Sequence, residues 1–83
     1  MYFVYILFSP SLNKYYVGST GHLPIRIEEH NRGKSPFTKK GMPWQMIYSK
    51  ECINRSEAIK LEMKIKKRGI KRYLIDQEIS SAG

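Results

Sequence analysis

The sequence is poor in cysteine, since Cys52 is the only one in 83 residues. A single cysteine excludes an intramolecular disulfide and any zinc site built from several cysteines. We interpret Cys52 as a small packing residue at the end of a strand rather than as a nucleophile. Repeats and low-complexity tracts are also absent. The composition, 41% hydrophobic and 27% charged, is typical of one small globular domain, which we predict over 1–79 with a disordered tail over 80–83.

Long apolar segments are lacking too. The apolar and aromatic run from Met1 to Phe8 has eight residues, whereas a membrane-spanning helix needs ~20. The run also lacks the basic start and the small-residue cleavage site of a signal peptide. We therefore expect a buried strand here, a cytoplasmic protein and no membrane partner.

Acidic residues are few: seven Asp and Glu stand against fifteen Lys and Arg, which gives a net charge of +8. The excess is concentrated in residues 50–75, with nine basic and three acidic side chains. Such clustering is typical of a protein that binds phosphate backbones. A solvated helix face explains the charge about equally well, and an anionic membrane explains it less well, because the segment lacks the Trp and Phe of an interfacial helix. The expected phosphate contacts are Lys39, Lys40, Lys66, Lys67, Arg68, Lys71 and Arg72.

The predicted order of elements is β-β-α-β-α-α. Runs of β-branched and aromatic residues indicate the strands, while Gly33 and Gly69 mark helix ends. The predicted fold class is α/β of the α+β kind, a three-stranded antiparallel sheet flanked by helices. The predicted strands are Tyr2–Phe8, Tyr15–Ser19 and Trp44–Lys50; the helices are Pro24–Asn31, Ser56–Arg68 with Ser56 as N-cap, and Ile70–Ile79; a basic loop covers Lys34–Pro43.

Glu62 occupies an unusual position on the second predicted helix. At 100° per residue, it falls within the apolar arc that should face the sheet. A carboxylate there is unfavourable unless it is paired or metal-bound. The alternative to a functional site is a salt bridge with Lys66 at i+4, and we favour the site. The predicted arc consists of Ala58, Ile59, Leu61, Met63 and Ile65.

The first predicted helix brings a second pair together. Arg26 and His30 are one turn apart and share a face beside Leu23 and Ile27. A single histidine in such a position is more often a hydrogen-bonded packing residue than a ligand. His22 and His30 also lack metal-ligand spacing. The sequence contains no Ser-His-Asp pattern, P-loop or dinucleotide-binding fingerprint.

Five segments together resemble the GIY-YIG nuclease family, in the family's order and over nearly the whole chain. Val4 stands where the family's first motif has glycine, and Ser19 stands where the UvrC-like members have lysine. An asparagine found downstream in some members has no counterpart near Leu74. The likeness is strongest to the structure-specific DNA junction nucleases and to small stand-alone bacterial members. The matching segments are Val4-Tyr5-Ile6, Tyr16-Val17-Gly18-Ser19-Thr20, Arg26 to Asn31, Pro43 to Tyr48, and Glu57 to Glu62.

The resemblance implies a metal-dependent endonuclease that hydrolyses phosphodiester bonds in DNA, with branched or damaged DNA among the candidate substrates and DNA repair as a candidate role. It implies one Mg²⁺ or Mn²⁺ ion held by Glu62, Arg26 steadying the charge on the phosphate, and Tyr16 accepting the proton of the attacking water. Tyr5 and His30 would be orienting groups or alternative bases. RNA is not excluded as a substrate.

Two alternatives remain open at the level of sequence. The chain could be a non-catalytic nucleic-acid-binding module, or a subunit active only with a protein partner that supplies specificity. A basic protein associated with RNA or ribosomes is a weaker third interpretation. The presence of Tyr5, Tyr16, Arg26, His30 and Glu62 together favours the enzyme, because a pure binder has no need of a carboxylate facing the core.

Overall fold

The chain folds as one antiparallel sheet of three strands with helices on both of its faces, which confirms the predicted fold class and element order. A computed structural model describes residues 1–34 and 38–82, with side chains described as far as Glu78. Residues 35–37 of the predicted basic loop and Gly83 of the predicted tail lie outside the described residues. The elements are β1 (Tyr2–Ser9), β2 (Lys14–Thr20), α1 (Leu23–Asn31), a 3₁₀ turn (Lys39–Gly41), β3 (Gln45–Cys52), α2 (Arg55–Arg68) and α3 (Ile70–Ala82).

β1 is the central strand, with β2 antiparallel on one side and β3 antiparallel on the other. Val4, Tyr5, Ile6 and Leu7 are all at most 1% exposed, because both faces of the sheet are covered at this strand. A strand buried on both faces has apolar residues in succession rather than in alternation. The apolar run at the start of the sequence is therefore the central strand of the sheet.

The two faces of the sheet carry separate cores. On one face, Val4, Ile6 and Val17 pack against α2 and α3 through Ala58 and Ile65. Val4, which replaces the glycine of the family motif, is fully buried there and fills this core. The other face carries α1 and the loop before β3, and its core consists of Tyr5, Leu7 and Trp44 with Tyr16, Leu23, Ile27 and Met42 against them.

α1 is joined to β3 by a side chain that the sequence did not single out as structural. The Asn31 amide donates to the Trp44 carbonyl at 3.1 Å, and the Trp44 backbone N–H donates to Asn31 Oδ1 at 2.6 Å. This pair of hydrogen bonds satisfies the backbone of Trp44 where it enters the sheet. It also fixes the end of α1 that carries His30.

α2 buries a narrower arc than the apolar pattern predicted. Ala58 and Ile65 are fully buried, whereas Ile59 is 38% exposed and Met63 is 64% exposed. On the helical wheel, Ile59 and Met63 lie more than about 100° from the centre of the buried stripe, beyond the reach of a three-stranded sheet. The prediction that these two residues face the sheet was wrong. Glu62 lies at the margin of the stripe and is partly buried.

The ends of α2 and α3 differ from the predicted ends in two places. Asn54, not Ser56, is the N-cap: its backbone is extended and its side chain accepts a hydrogen bond from the Glu57 N–H at 2.9 Å. Gly69 ends α2 with φ at +96°, a value that favours glycine, and α3 continues to Ala82, beyond the predicted end at Ile79. The disordered tail over 80–83 stays a prediction.

The two candidate caps can be separated by mutation. Asn54→Ala removes the acceptor of the Glu57 N–H, so we expect the free energy of unfolding to fall by about 0.5–2 kcal/mol. Ser56→Ala is the control, because Ser56 is exposed within the first turn, and its effect should stay within about 0.5 kcal/mol. Urea unfolding of both variants measures the difference. A larger loss in Ser56→Ala would restore Ser56 as the cap.

Candidate active site

The open edge of β2 is where the predicted site residues meet. Tyr5 on the central strand is paired with Gly18 on β2, and its ring lies across that glycine. A Cβ added at Gly18 would lie 2.6 Å from the Tyr5 hydroxyl oxygen and 3.2 Å from the Tyr16 ring. Gly18 therefore has no side chain because Tyr5 occupies that space. The contact directs the buried Tyr5 hydroxyl from the core towards the edge strand.

Behind Tyr5 lies a buried chain of hydrogen bonds. The Tyr5 hydroxyl is 2.9 Å from His30 Nε2, and His30 Nδ1 is 2.6 Å from the Thr38 hydroxyl oxygen. His30 and Thr38 are fully buried, and the Thr38 carbonyl accepts from the Trp44 indole N–H at 2.6 Å. His30 is thus a hydrogen-bonded packing residue, which was the alternative interpretation of its position. The hydrogen bond to Thr38 also fixes the orientation of the His30 ring towards the Tyr5 hydroxyl.

The charge state of this chain follows from Arg26. Its guanidinium, which can only donate, acts on the Tyr5 hydroxyl as a nearby cation and opposes the rise of the Tyr5 pKa. A cation on that side favours the Tyr5 oxygen as an acceptor and its O–H as the donor to His30 Nε2. In that arrangement the Nδ1–H of His30 donates to the Thr38 hydroxyl. This arrangement gives each of these protons an acceptor.

Burial keeps both Tyr5 and His30 neutral. It raises the pKa of Tyr5 to about 12, although the hydrogen bond from Arg26 opposes the shift. Burial, assisted by the positive charge of Arg26, lowers the pKa of His30 below its ordinary value of 6.5. These shifts favour an orienting role for Tyr5 over the alternative role of a base. The Nε2 lone pair of His30 is already occupied by the Tyr5 proton.

On the α1 side of the sheet, Tyr16 and Arg26 are only partly buried and have access to solvent. The Tyr16 ring packs edge-on against His30, with centroids 5.0 Å apart, and lies 6.4 Å from the rings of Tyr5 and Trp44. Among the described residues its contacts are ring packing rather than hydrogen bonds of the hydroxyl. The Arg26 side chain is 34% exposed and is 3.5 Å from Glu29. Both polar ends can therefore reach a bound molecule.

Glu62 approaches the same edge from the other face of the sheet. The Ser19 hydroxyl donates to Oε1 of Glu62 at 2.8 Å, and the Lys66 ammonium lies 2.8 Å from Oε2. The side chain of Glu62 is 20% exposed. The salt bridge with Lys66, which the sequence offered as the alternative, is therefore present. It coexists with a hydrogen bond from the edge strand that holds the carboxylate in place.

The two halves of the site act on each other electrostatically. The pKa of Tyr5 is influenced by Tyr16, Arg26 and Glu62, so all three lie within interaction range of its hydroxyl. The hydrogen bond with Glu62 raises the pKa of Lys66, and Tyr16 adds to this effect. The structure thus brings the predicted residues Tyr5, Tyr16, Arg26, His30 and Glu62 to one place on β2.

Sequence reasoning missed two side chains of this group. Thr38 lies in the predicted basic loop, where no pattern distinguishes it, and only folding places it on His30. Ser19 was noticed as a departure from the lysine of some relatives, and its bond to Glu62 depends on the packing of α2 on β2. One sequence signal does predict the position of Ser19. Side chains two apart in a strand lie on the same face, so Ser19 shares the face of Val17, which packs against α2.

The predicted phosphate-binding residues divide into free and paired cations. Lys39, Lys40, Lys67, Lys71 and Arg72 are all exposed. Arg68, also exposed, makes two hydrogen bonds to Asp76, at 2.8 and 3.1 Å, which lower the pKa of that carboxyl. Lys66 is paired with Glu62. Among the side chains that the structure describes, the predicted cations without an ion-pair partner thus lie on the 3₁₀ turn and at the α2–α3 corner.

The donor set at this edge suits only one kind of metal site. Nowhere in residues 1–34 and 38–82 do three His, Cys, Asp or Glu side chains come together as a metal cage. One carboxylate is enough for Mg²⁺, which is often held by one or two carboxylates together with water and substrate phosphates. Zinc sites need three or four protein ligands. Glu62 therefore fits a magnesium-like ion that is completed by substrate oxygens.

Within the described part of the chain, every helix is too short or too polar to cross a bilayer.

Comparison with known proteins agrees with these features. The family model described as the GIY-YIG catalytic domain matches residues 1–73. A UPF0213 protein of Oceanobacillus iheyensis is 38% identical over 52 residues, which cover 61% of this chain and 60% of that protein. A UPF0213 protein of Staphylococcus aureus strain Mu3 is 36% identical over 66 residues, covering 78% of this chain and 79% of the relative. No solved structure matches the chain.

The lowered pKa of His30 predicts an acid-sensitive fold. Below about pH 6.5 the unfolded chain binds a proton that the folded protein resists, so the free energy of unfolding should fall as pH is lowered through that value. Above it this contribution is fully present. Urea unfolding of wild type between about pH 5 and pH 7.5 should show the decline, and His30→Gln should remove it.

The control for this experiment is His22→Gln, because His22 is exposed and is the only other histidine. The His22 variant should keep the wild-type decline. The readout is the change of stability with pH, so an overall destabilisation of His30→Gln does not affect it. An equal decline in wild type and His30→Gln would contradict a buried, neutral His30.

Proposed function

Because the chain belongs to the GIY-YIG family of nucleases, we propose that it is a metal-dependent endonuclease that hydrolyses phosphodiester bonds in DNA. The observation that supports the proposal is the meeting of three groups at the edge strand. The Tyr16 ring packs beside Tyr5 and His30, and Ser19 of the same strand binds Glu62. Arg26 and Glu62 both act electrostatically on the Tyr5 hydroxyl. A base, a cation and a metal ligand are the groups that metal-dependent hydrolysis of a phosphodiester uses. Their meeting on one strand edge gives a long substrate access to all three.

Arg26 is the group that stabilises the negative charge on the phosphate. The planar guanidinium can donate two parallel hydrogen bonds to phosphate oxygens. Tyr5 holds it from behind, with its hydroxyl in turn fixed by His30. A donor held in place before the reaction stabilises developing charge without reorganising. The buried chain from Thr38 to Arg26 therefore orients the guanidinium.

Tyr16 accepts the proton of the attacking water in this proposal. Its ring packs against His30 and Trp44, with centroids 5.0 and 6.4 Å away, and among the described residues neither of the two hydrogen-bonds its hydroxyl. A free phenol ionises with a pKa of about 10, so the rate of a phenol-assisted reaction rises with pH above neutrality. Tyr5, whose pKa burial raises to about 12, is less suited to this role.

Glu62 holds the divalent cation, Mg²⁺ or Mn²⁺. The ion supplies Lewis-acid stabilisation of the phosphate and the leaving oxygen when it is bound. Ser19 orients the carboxylate through Oε1, and Lys66 keeps Oε2 ion-paired in the free protein. Lys66 is on the exposed surface of α2. When Glu62 binds the cation, the Lys66 ammonium can therefore leave Oε2 and bind a substrate phosphate.

The exposed cations bind the substrate backbone. Lys39 and Lys40 lie on the loop that supports His30, and Lys67, Lys71 and Arg72 lie at the α2–α3 corner beyond Glu62. Cations of this kind contribute affinity without reading sequence. We assign Arg68 a smaller share than the sequence suggested, because Asp76 neutralises it. DNA is the proposed substrate, RNA is compatible with the same surface, and the proposed location is the cytoplasm.

A second candidate function keeps the same surface without catalysis. The observation that favours it is the Lys66–Glu62 ion pair, which gives Glu62 a structural role. The chain would then be a nucleic-acid-binding module, or a subunit that cleaves only with a protein partner. Cleavage measured together with binding distinguishes the two functions.

Glu62→Gln tests the metal ligand. The amide keeps an oxygen for the Ser19 hydroxyl but loses the charge that holds a cation, so we expect cleavage to fall by about 100-fold or more. DNA affinity should stay the same or rise slightly, since a negative charge has left the phosphate site. Stability should change by only a few tenths of a kcal/mol, the usual contribution of such an ion pair.

Glu57→Gln is the matched control, since Glu57 lies on the same helix and is also paired with a lysine, Lys60. It should cleave like wild type. Cleavage that survives in Glu62→Gln would place the metal elsewhere. Wild-type protein that binds DNA without cleaving it, with either ion, would establish the second candidate function.

Tyr16→Phe tests the proposed base. The substitution keeps the ring packing on His30 and removes only the hydroxyl, so the cleavage rate should fall by roughly 10²- to 10⁴-fold and lose its rise with pH. Tyr2→Phe is the control, since Tyr2 lies on the central strand away from these residues. Rates are measured across the pH range at saturating metal. An unchanged pH profile in Tyr16→Phe would assign the proton transfer to another group.

A further inference from the structure

A groove of about 380 Å³ lies beside the candidate active site, between the edge strand β2 and the α2–α3 corner. None of the functions assigned above uses it. Its volume is within the range of small-ligand sites. Its lining residues are Tyr15, Tyr16, Val17, Lys66 and Ile70.

The walls of this groove combine three kinds of chemistry. Tyr15 provides an aromatic ring that is already held by Phe8, with ring centroids 5.1 Å apart, and Ile70 provides an aliphatic wall. Lys66 provides a cation. Besides this apolar surface and this cation, the groove offers backbone hydrogen-bonding groups. β2 has a neighbouring strand on one side only, and alternate residues of such a strand direct their N–H and C=O groups outwards.

The groove is continuous with the site through two shared residues. Tyr16 is the proposed base, and Lys66 is bound to the proposed metal ligand, Glu62. Two exposed cations, Lys67 and Lys71, follow the lining residues Lys66 and Ile70 directly in the sequence. A ligand in the groove would therefore lie a short distance from the reacting phosphate. The neighbouring cations favour a ligand that carries negative charge on both sides. A nucleotide next to the cleaved bond has these properties.

A second groove shows that these features are not general to the surface. It has a volume of about 320 Å³ and lies between the end of β3 and α2. Its described lining residues include no aromatic ring, and they carry two carboxylates, Glu51 and Glu57, against one cation, Lys50. The negative charge of both carboxylates disfavours a phosphate-bearing ligand. The groove at β2 contains no acidic side chain among its lining residues.

We infer that the groove at β2 binds one unpaired nucleobase of the substrate strand, next to the phosphate that is cleaved. The base stacks on an aromatic wall and offers its hydrogen-bonding edge to the free backbone of β2, while Lys66 and Lys67 bind the adjoining phosphates. A base inside an intact duplex presents neither its face nor its pairing edge. The inference rests on the proposed function and adds a requirement to it: the base beside the cleaved phosphate is unpaired.

Binding of two synthetic strands tests this subsite without cleavage. One strand consists of abasic units only, and the other has the same length with a single adenine at its centre, so their phosphates are identical. Fluorescence anisotropy in EDTA measures both affinities for the full chain. We expect the single adenine to raise the affinity of wild type about tenfold, which is the usual effect of stacking one base on an aromatic side chain.

Two substitutions of Ile70 address the groove itself. Ile70→Trp fills it without changing charge, so the preference for the adenine strand should vanish while affinity for the abasic strand stays. Ile70→Ala removes the wall and should lower the preference about threefold. Thermal melting shows whether each variant folds. If Ile70→Trp does not fold, Ile70→Ala still tests the groove. Ile75→Trp is the control, because Ile75 is 46% exposed on the same helix, and it should keep the preference.

The outcomes separate the subsite from the proposed function. Equal affinity of wild type for both strands, or a preference that persists in Ile70→Trp, would overturn the subsite and leave the nuclease proposal standing. A preference in wild type that Ile70→Trp removes supports the subsite even if no cleavage is found, in which case only the proposed function fails. Absence of binding to both strands at low salt would overturn the two together.

Discussion

The hydroxyl of Tyr5, held between Arg26 and His30, is the contact on which the rest of the site depends. It is placed by a central strand that is buried on both faces, and it reaches the edge because Gly18 leaves the space for its ring. The positive charge of Arg26 beside the Tyr5 hydroxyl favours His30 as the acceptor of the Tyr5 proton. Removing Tyr5 from this position would release the guanidinium and leave a buried imidazole without its partner, which is costly in the interior of a protein.

The sheet contributes to function by having few strands. With β1 alone in the middle, β2 is an edge, and groups from both faces can meet around it. Arg26 and His30 come from α1 on one face, while Glu62 and Lys66 come from α2 on the other. If further strands were paired with β2, the residues of α1 and those of α2 would be on opposite sides of a continuous sheet and could not meet at its edge. Edge strands are often a liability because they expose unpaired backbone groups, and the groove at β2 turns that exposure into a place for a ligand.

Much of the fold could be predicted because local signals agreed with tertiary packing. The apolar run at the start predicts a doubly covered strand, and Gly69, whose φ is +96°, predicts the break between α2 and α3. The position of Glu62 near the buried stripe of α2 also followed from helical periodicity. The predicted cap at Ser56 was wrong because Asn54 lies two residues earlier and competes for the same backbone donors. The exposure of Ile59 and Met63 depends on the width of the sheet, which no helical pattern contains.

The site could be predicted only in part, because its supporting contacts join residues far apart in sequence. Thr38 reaches His30 from a loop without pattern, and Ser19 reaches Glu62 across 43 positions. Such contacts exist only once α1 and α2 pack on the sheet. The most direct measurement is cleavage by wild type of labelled duplex, nicked, flapped, branched and single-stranded DNA, with Mg²⁺ or Mn²⁺ and again with EDTA. The account predicts cleavage of substrates with a single-stranded segment that requires the ion. Tight binding of the same DNA with no cleavage under any ion would contradict it.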